Sequence, residues 1–348
     1  MLPEAVAAMT KLLSEPGNPS SLHASGRRAR RAVEESRERV ALAVGCGSAE
    51  VVFTAGGTEA NNIAVKGIAW DQRNKDPRRI RVLAGSTEHH AVLDPARWLE
   101  DFEGAEVVEV PVTREGFINL SELRNVVLER HDEIALISIM HSNNETGVIQ
   151  PIQEVVAMAG KIPVHTDAVQ SFKKVPLSYK DLGVTALTLS AHKVGGPLGI
   201  GTLILRRAYE IPALLHGGGQ ERDIRSGTLN APSIVAFASA VEAKLYDAKK
   251  IAALRDSFEV GVLAARPDAV INGKSAPRLP GISNITFPGT QSDSLLLLMD
   301  SEKVSCSTGA ACTAGVHRPS HVLMAMGLTD VVSQSSLRFS FGTTNYAS

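Results

Sequence analysis

Cysteine is scarce in this chain: its 348 residues include three, Cys46, Cys306 and Cys312, an odd number without Cys-x-x-Cys spacing. A disulfide framework is therefore not expected, nor a metal site of the Cys-x-x-Cys type. Excess charge of either sign is also missing, with 36 Lys and Arg against 37 Asp and Glu and a formal net charge of -1. That balance gives no electrostatic argument for nucleic acid or an anionic membrane as a partner. The basic stretch at 27–31 is interrupted by Ala29 and followed by Glu34 and Glu35, so it reads as the solvated face of a helix. No apolar run approaches a membrane span. Met1-Leu2-Pro3-Glu4 has neither the basic nor the apolar region of a secretory signal, and the expectation is a cytoplasmic chain. Repeats and low-complexity segments are lacking too.

What is present is an alternation of helical and strand patterns. The length exceeds the usual single core and predicts two domains sharing one site. Helical periodicity falls at 27–44, 58–70, 95–102, 120–129 and 151–159. Segments rich in Val, Ile and Leu at 51–54, 80–84, 106–110, 134–140, 163–166, 185–189 and 201–205 read as strands. This order implies an α/β fold with a mainly parallel sheet and helices on both faces. A long helical stretch at 233–265 leads to a strand, two helices and a strand at 282–287, 292–299, 319–326 and 335–340. We expect a large α/β domain over 1–235 and a smaller α+β domain over 236–348 that carries the cysteine loop.

Candidate chemistry gathers where strands end, as ligands do in α/β folds. Ser190-Ala191-His192-Lys193 follows an apolar strand and precedes Gly195-Gly196-Pro197. An amine there, with its pKa lowered by its neighbours, can form a Schiff base, although a lone lysine after a strand is ordinarily a solvated one. Asp167 closes the strand at 163–166 and is the carboxylate that a protonated pyridine nitrogen needs, so the pair suggests pyridoxal phosphate. Gly56-Gly57-Thr58 opens a helix after a strand and could hold an anion, or could be an ordinary glycine turn with Thr58 as cap. Ser190 and His192 could donate to a phosphate or only cap the strand end. His89 could lie on an aromatic cofactor ring or be half of a surface histidine pair. Asn144, in Asn143-Asn144-Glu145-Thr146-Gly147, supplies an amide for a ring hydroxyl or a substrate, or merely builds a turn. Gln170 would lie one turn beyond Asp167 if a helix begins there, and could reach a phenolic oxygen. Small residues surround Cys306 and Cys312 in a run matching neither helix nor strand, either as a mobile loop bringing a thiol to substrate or as a packed turn. Arg338 is a charge within an apolar strand, and needs a substrate carboxylate or a buried carboxylate as its partner.

Taken together, Gly17-Asn18-Pro19-Ser20-Ser21, Thr58-Glu59-Ala60-Asn61-Asn62, Thr87-Glu88-His89, Asn143-Asn144-Glu145, His165-Thr166-Asp167-Ala168-Val169-Gln170, Ser190-Ala191-His192-Lys193, Arg225-Ser226-Gly227-Thr228 and Ala311-Cys312-Thr313 resemble a known family nearly end to end. It is that of the pyridoxal-phosphate-dependent cysteine desulfurases of the NifS/IscS type, within the class V aminotransferases. The resemblance implies a fold-type I transferase with a seven-stranded sheet. It implies Lys193 as the Schiff-base lysine, Asp167 as the ring-nitrogen partner, His89 as the stacking imidazole, and Asn144 and Gln170 as contacts to the ring and its oxygen. Gly57, Thr58, Ser190 and His192 would bind phosphate, Thr228 would reach the phosphate of a neighbouring subunit in a homodimer, and Arg338 would hold the substrate carboxylate.

The implied reaction takes sulfur from L-cysteine, leaving L-alanine and a persulfide on Cys312. The sulfur then passes to an iron–sulfur scaffold or a tRNA-thiolation factor. No resident metal is implied, although Cys312 would transiently contact an iron–sulfur cluster. The family normally has a Tyr-Leu-Asp-Asn-Ala-Ala-Thr-Thr-like segment before the helix that begins here at Pro3, and a further helix after Asn345. Both ends are therefore expected to be truncated relative to the family. A selenocysteine lyase, another class V enzyme, or a non-catalytic binding module are the competing readings.

Overall fold

The computed structural model describes residues 1–15, 17–243, 246–309 and 319–345. The chain opens with α1 (Pro3–Leu13) and α2 (Ala24–Val44), then alternates through β1 (Val51–Thr54), α3 (Gly57–Lys75), β2 (Arg81–Gly85), α4 (His90–Glu103), β3 (Glu106–Val110) and α5 (Leu120–Arg130). It continues through β4 (Ile134–Ser138), α6 (Ile152–Ala159), β5 (Val164–Asp167), the single turn α7 (Tyr179–Leu182), β6 (Ala186–Ser190) and β7 (Gly201–Leu205). Beyond these come α8 (Ala231–Glu242), α9 (Ala248–Ala265), β8 (Val270–Asn272), β9 (Ile282–Thr286), α10 (Ser292–Ser301), α11 (His321–Ala325), α12 (Asp330–Ser333) and β10 (Ser336–Ser340).

The first seven strands form one sheet in the order β1-β7-β6-β5-β4-β2-β3. Pairings from β6 through β5, β4 and β2 to β3 are parallel, and β7 runs against both of its neighbours. This is the expected mainly parallel, seven-stranded α/β sheet. Apolar packing on both faces explains the unbroken Ile-Ala-Leu-Ile of β4, every residue of which is buried. One core joins the sheet to α2, α5, α6 and α8 through Val40, Leu123, Val155 and Phe237. Another joins it to α3 and α4 through Ile63, Ile68, Val92 and Leu99. Among the described residues no helix is long and apolar enough to cross a membrane.

The helix expected at 233–265 is two helices. Ala243 turns extended at φ −60°, ψ 132°, and Asp247 caps α9 by accepting from the backbone N–H groups of Lys249 and Lys250, both at 3.1 Å. Phe237 and Val241 of α8 belong to the large core, so residue 235 falls inside a helix of that core. Strands β8, β9 and β10 form a separate antiparallel sheet in the order β10-β9-β8. Its own core includes Ile285, Leu337 and Phe339, with Phe258 of α9 packed against it. The helix expected from Pro95 begins a turn earlier, because His89 Nδ1 accepts from the Ala91 N–H at 3.0 Å and starts α4 at His90.

Candidate active site

The carboxyl ends of β1, β2, β4, β5 and β6 carry the loops singled out above. Asp167, the last residue of β5, is 7% exposed. Its carboxylate accepts from Asn61 Nδ2 of α3 at 2.7 Å and from the Val169 N–H at 2.9 Å. Burial pushes this carboxyl up, while those hydrogen bonds and the charges of His89 and Lys193 pull it back. Lys193 lies in a short 3-10 turn, Ala191–Val194, which Gly195 ends in the left-handed region at φ 84°. Its amine is drawn below the ordinary lysine range by burial and by Arg338, with Asp167 opposing both. Burial also lowers His89, against the pull of Asp167, and so favours the neutral ring.

The α3 N-terminus backs directly onto the end of β6. A Cβ built on Gly57 would lie 3.5 Å from that of Ser190, and Ser190 Oγ is 2.8 Å from His192 Nδ1. Thr58 and His192 are exposed beside this junction. Gly57, Thr58, Ser190 and His192 thus surround one open helix N-terminus, where amide hydrogens favour an anion. Glu59 secures the loop by accepting from the Ala55 N–H at 2.5 Å and from Arg225 Nε at 2.7 Å. Thr228 is exposed three residues beyond Arg225.

Arg338 crosses from the small sheet to the large one. Its Nη1 donates to the Asn144 carbonyl at 2.9 Å, and its backbone exchanges hydrogen bonds with Ser307 at 2.6 and 3.1 Å. Arg338 Nε is buried and has no partner among the described residues. Burial draws the guanidinium down and nearby Glu145 draws it up. Asn144 takes part here through its backbone carbonyl. The turn itself is built by Asn143, whose Oδ1 accepts from the N–H groups of Glu145 and Thr146.

Gln170 lies in a turn rather than in a helix beginning after Asp167. Its Oε1 accepts from Lys174 Nζ at 3.1 Å, which adds a cation that the sequence reading missed. Its i+4 spacing from Gln170 was the available signal. Buried His165 was quoted as part of a motif but given no role; it is fixed by Ser138 Oγ at 2.8 Å and Thr188 Oγ1 at 3.0 Å. Burial alone lowers it to about 3, so its ring is a neutral strut beneath the site. Cys312 lies outside the described residues. Cys46 and Cys306 are both half-buried, and burial raises both thiols, Cys46 to about 12, so neither is poised as a thiolate.

A mostly parallel sheet with a lysine, a buried carboxylate and an open helix N-terminus at its strand termini is the arrangement of a class of transferase folds. The aminotransferase class-V family matches residues 1–348, and the chain belongs to that family. It is 46% identical over 352 residues to an IscS-like cysteine desulfurase of Mycobacterium tuberculosis (strain ATCC 25618 / H37Rv), covering 99% of this chain and 89% of the relative. The solved structure of a NifS-like protein superposes with a TM-score of 0.90 at 33% identity, covering 99% of this chain and 92% of the other. A structure described as SspA in complex with cysteine gives a TM-score of 0.87 at 32% identity, with 99% and 96% coverage.

Proposed function

We propose that this protein is a pyridoxal-phosphate-dependent cysteine desulfurase that transfers the sulfur of L-cysteine to Cys312. The observation that carries the reading is the convergence of Lys193, Asp167 and Arg338 from two strand ends and a second sheet. The donor set fits the cofactor: a buried carboxylate suits a ring N–H, an open helix end suits a phosphate, and the cations Lys193, Lys174 and Arg338 act on one another across the site. Lys193 would hold the group covalently. Asp167, His89, Gln170 and Asn144 would orient its ring, and Gly57, Thr58, Ser190 and His192 its phosphate. When bound, pyridoxal phosphate would draw electrons from the substrate's α-carbon into its ring.

The chain's own groups then have distinct tasks. Asp167 would favour a protonated ring nitrogen. Lys193, with its amine held below the ordinary range, can take a proton from carbon and return it. Arg338 offers a partly desolvated guanidinium to the substrate carboxylate. The Cys312 thiolate attacks the substrate sulfur: an S–S bond forms, the C–S bond breaks, and the carbon left behind is protonated to alanine. Sulfur then leaves as a persulfide for an acceptor of the iron–sulfur scaffold or tRNA-thiolation kind. The enzyme acts as a cytoplasmic homodimer, with Thr228 reaching the neighbouring subunit's phosphate.

The test is production of alanine and sulfide from L-cysteine with added pyridoxal phosphate and a thiol reductant. The wild-type chain is expected to form both in equal amounts, while Lys193→Ala and Cys312→Ser lose turnover by about a thousandfold or more. Undiminished cysteine turnover by Cys312→Ser would sink the persulfide mechanism. Turnover by that variant on selenocysteine alone would favour a selenocysteine lyase, and a wild-type chain that binds no cofactor would favour a binding module.

A further inference from the structure

We propose that Lys174 is a positioning residue that locks the Gln170 side-chain amide with its NH₂ group toward the cofactor ring, a role that rests on the pyridoxal phosphate reading above. Lys174 Nζ stands 3.1 Å from Gln170 Oε1. A lysine ammonium donates three hydrogen bonds and accepts none, whereas a glutamine amide has one acceptor oxygen and a donor nitrogen. The contact therefore forms in one amide orientation only. With Oε1 turned to Lys174, Nε2 is the atom left for an anionic acceptor such as a phenolate oxygen. A lone glutamine would be free to flip and offer that acceptor a repelling carbonyl.

The backbone holds this pair in place. Ser171 accepts from the N–H groups of Lys174 at 2.9 Å and Val175 at 3.2 Å, and between them Lys173 takes a left-handed φ of 64°, uncommon outside glycine. Charged and titratable groups face Lys174 from two other elements: Lys193 and His192 in the turn after β6, and Arg338 on β10. Asp167 on β5 acts in turn on Lys193, and Lys193 on His89 before α4. Lys174 is half-buried, and burial followed by the charges of Lys193 and Arg338 brings its ammonium down to about 8.

The test is a spectrophotometric pH titration of the visible band of the lysine-bound cofactor in the intact holoenzyme, without substrate. Losing a donor to the phenolic oxygen makes the neighbouring nitrogen more basic, so Gln170→Leu and Lys174→Met are each expected to raise the midpoint by about 0.5 to 1. Lys174→Arg keeps a donor and is expected to stay near the wild-type midpoint. In a Gln170→Leu background, Lys174→Met should move the midpoint by less than half of its effect in the wild-type background. An equal shift in both backgrounds would overturn the proposal, because Lys174 would then act as an independent charge. No shift on Lys174→Met would overturn it as well. Lys174→Leu, which likewise has no donor, is expected to shift the midpoint as Lys174→Met does and is read in parallel so that the outcome does not hang on one variant's folding. Absence of the band in the wild-type protein would count against the cofactor reading instead.

Discussion

Gly57 has little room at the residue scale. A methyl group on it would stand 3.0 Å from Val169 Cγ2, which would have to give by a few tenths of an ångström, and at ordinary contact, 3.5 Å, from Ser190 Cβ. Overpacking of this kind costs about 1–3 kcal/mol. Here the cost falls on the junction that presents amide hydrogens to an anion. Gly57→Ala is expected to weaken pyridoxal phosphate binding about tenfold, read by equilibrium titration of the cofactor. Unchanged affinity would place the phosphate elsewhere. The small residue was visible in Gly56-Gly57-Thr58, but the reason for it was not, since Val169 and Ser190 are remote in the chain. Lys193, Asp167 and Arg338 stood out in the sequence because a charge beside or within an apolar strand is anomalous wherever it occurs. Lys174 carried no comparable signal: two adjacent lysines after a glutamine read as solvated until the turn at Lys173 sends them to different surroundings.

Between elements, the unusual feature is the turn at 221–223. Glu221, Arg222 and Asp223 all have positive φ, at 47°, 63° and 59°, each without the freedom of glycine. Strain of this kind costs on the order of 1 kcal/mol per residue and persists only where the surroundings impose it. What imposes it is a buried ion pair. Glu221 accepts from Arg37 of α2 through both carboxylate oxygens, at 2.6 and 2.8 Å, and from the Phe53 N–H of β1 at 2.6 Å. The latch joins α2, the sheet edge and the loop leading to Arg225 and Thr228. Glu221→Gln leaves the buried guanidinium only the exposed carboxylate of Glu34, 3.1 Å away, as a counter-charge, and is expected to destabilise by about 3 kcal/mol, checked by urea unfolding. A loss below about 1 kcal/mol would mean that the turn is held by something other than the pair. None of this was legible, because residues 184 positions apart gave no sign of pairing. Helix periodicity did announce α2, α3, α5 and α6. It failed where a local cap decided the matter, at His89 before α4 and at Ala243 between α8 and α9, and it missed β8, whose three residues are too few to show alternation.

Across the whole molecule, the sequence indicated the composition of the large sheet but not its order, because placing β1 at an edge beside β7 is a consequence of long-range packing. That order buries β5 in the middle, and with it His165. Burial lowers His165 to about 3 and His141 to about 4, both from an ordinary value near 6.5. The unfolded chain therefore takes up protons below about pH 6.5 that the folded chain refuses. The stability these neutral rings contribute is fully present above that pH and is lost as pH falls toward 4 and then 3. For His165 alone the loss reaches about 2 kcal/mol at pH 5, since the ordinary and folded values straddle that pH. Buried Glu88, Glu145 and Asp167 act in the opposite sense: burial raises all three, so their contribution is largest in acid and fades as pH rises. The raw acid profile mixes both sets, and the difference between wild type and His165→Gln separates them. Both tryptophans, Trp70 and Trp98, lie on α3 and α4 of the large core, so their fluorescence in urea follows the unit that contains His165. The stability gap between the two cofactor-free proteins is expected to narrow by about 2 kcal/mol between pH 7.5 and pH 5. A gap constant with pH would show that His165 is protonated in the folded sheet, and with both ring nitrogens donating, Ser138 and Thr188 would each have to accept from it.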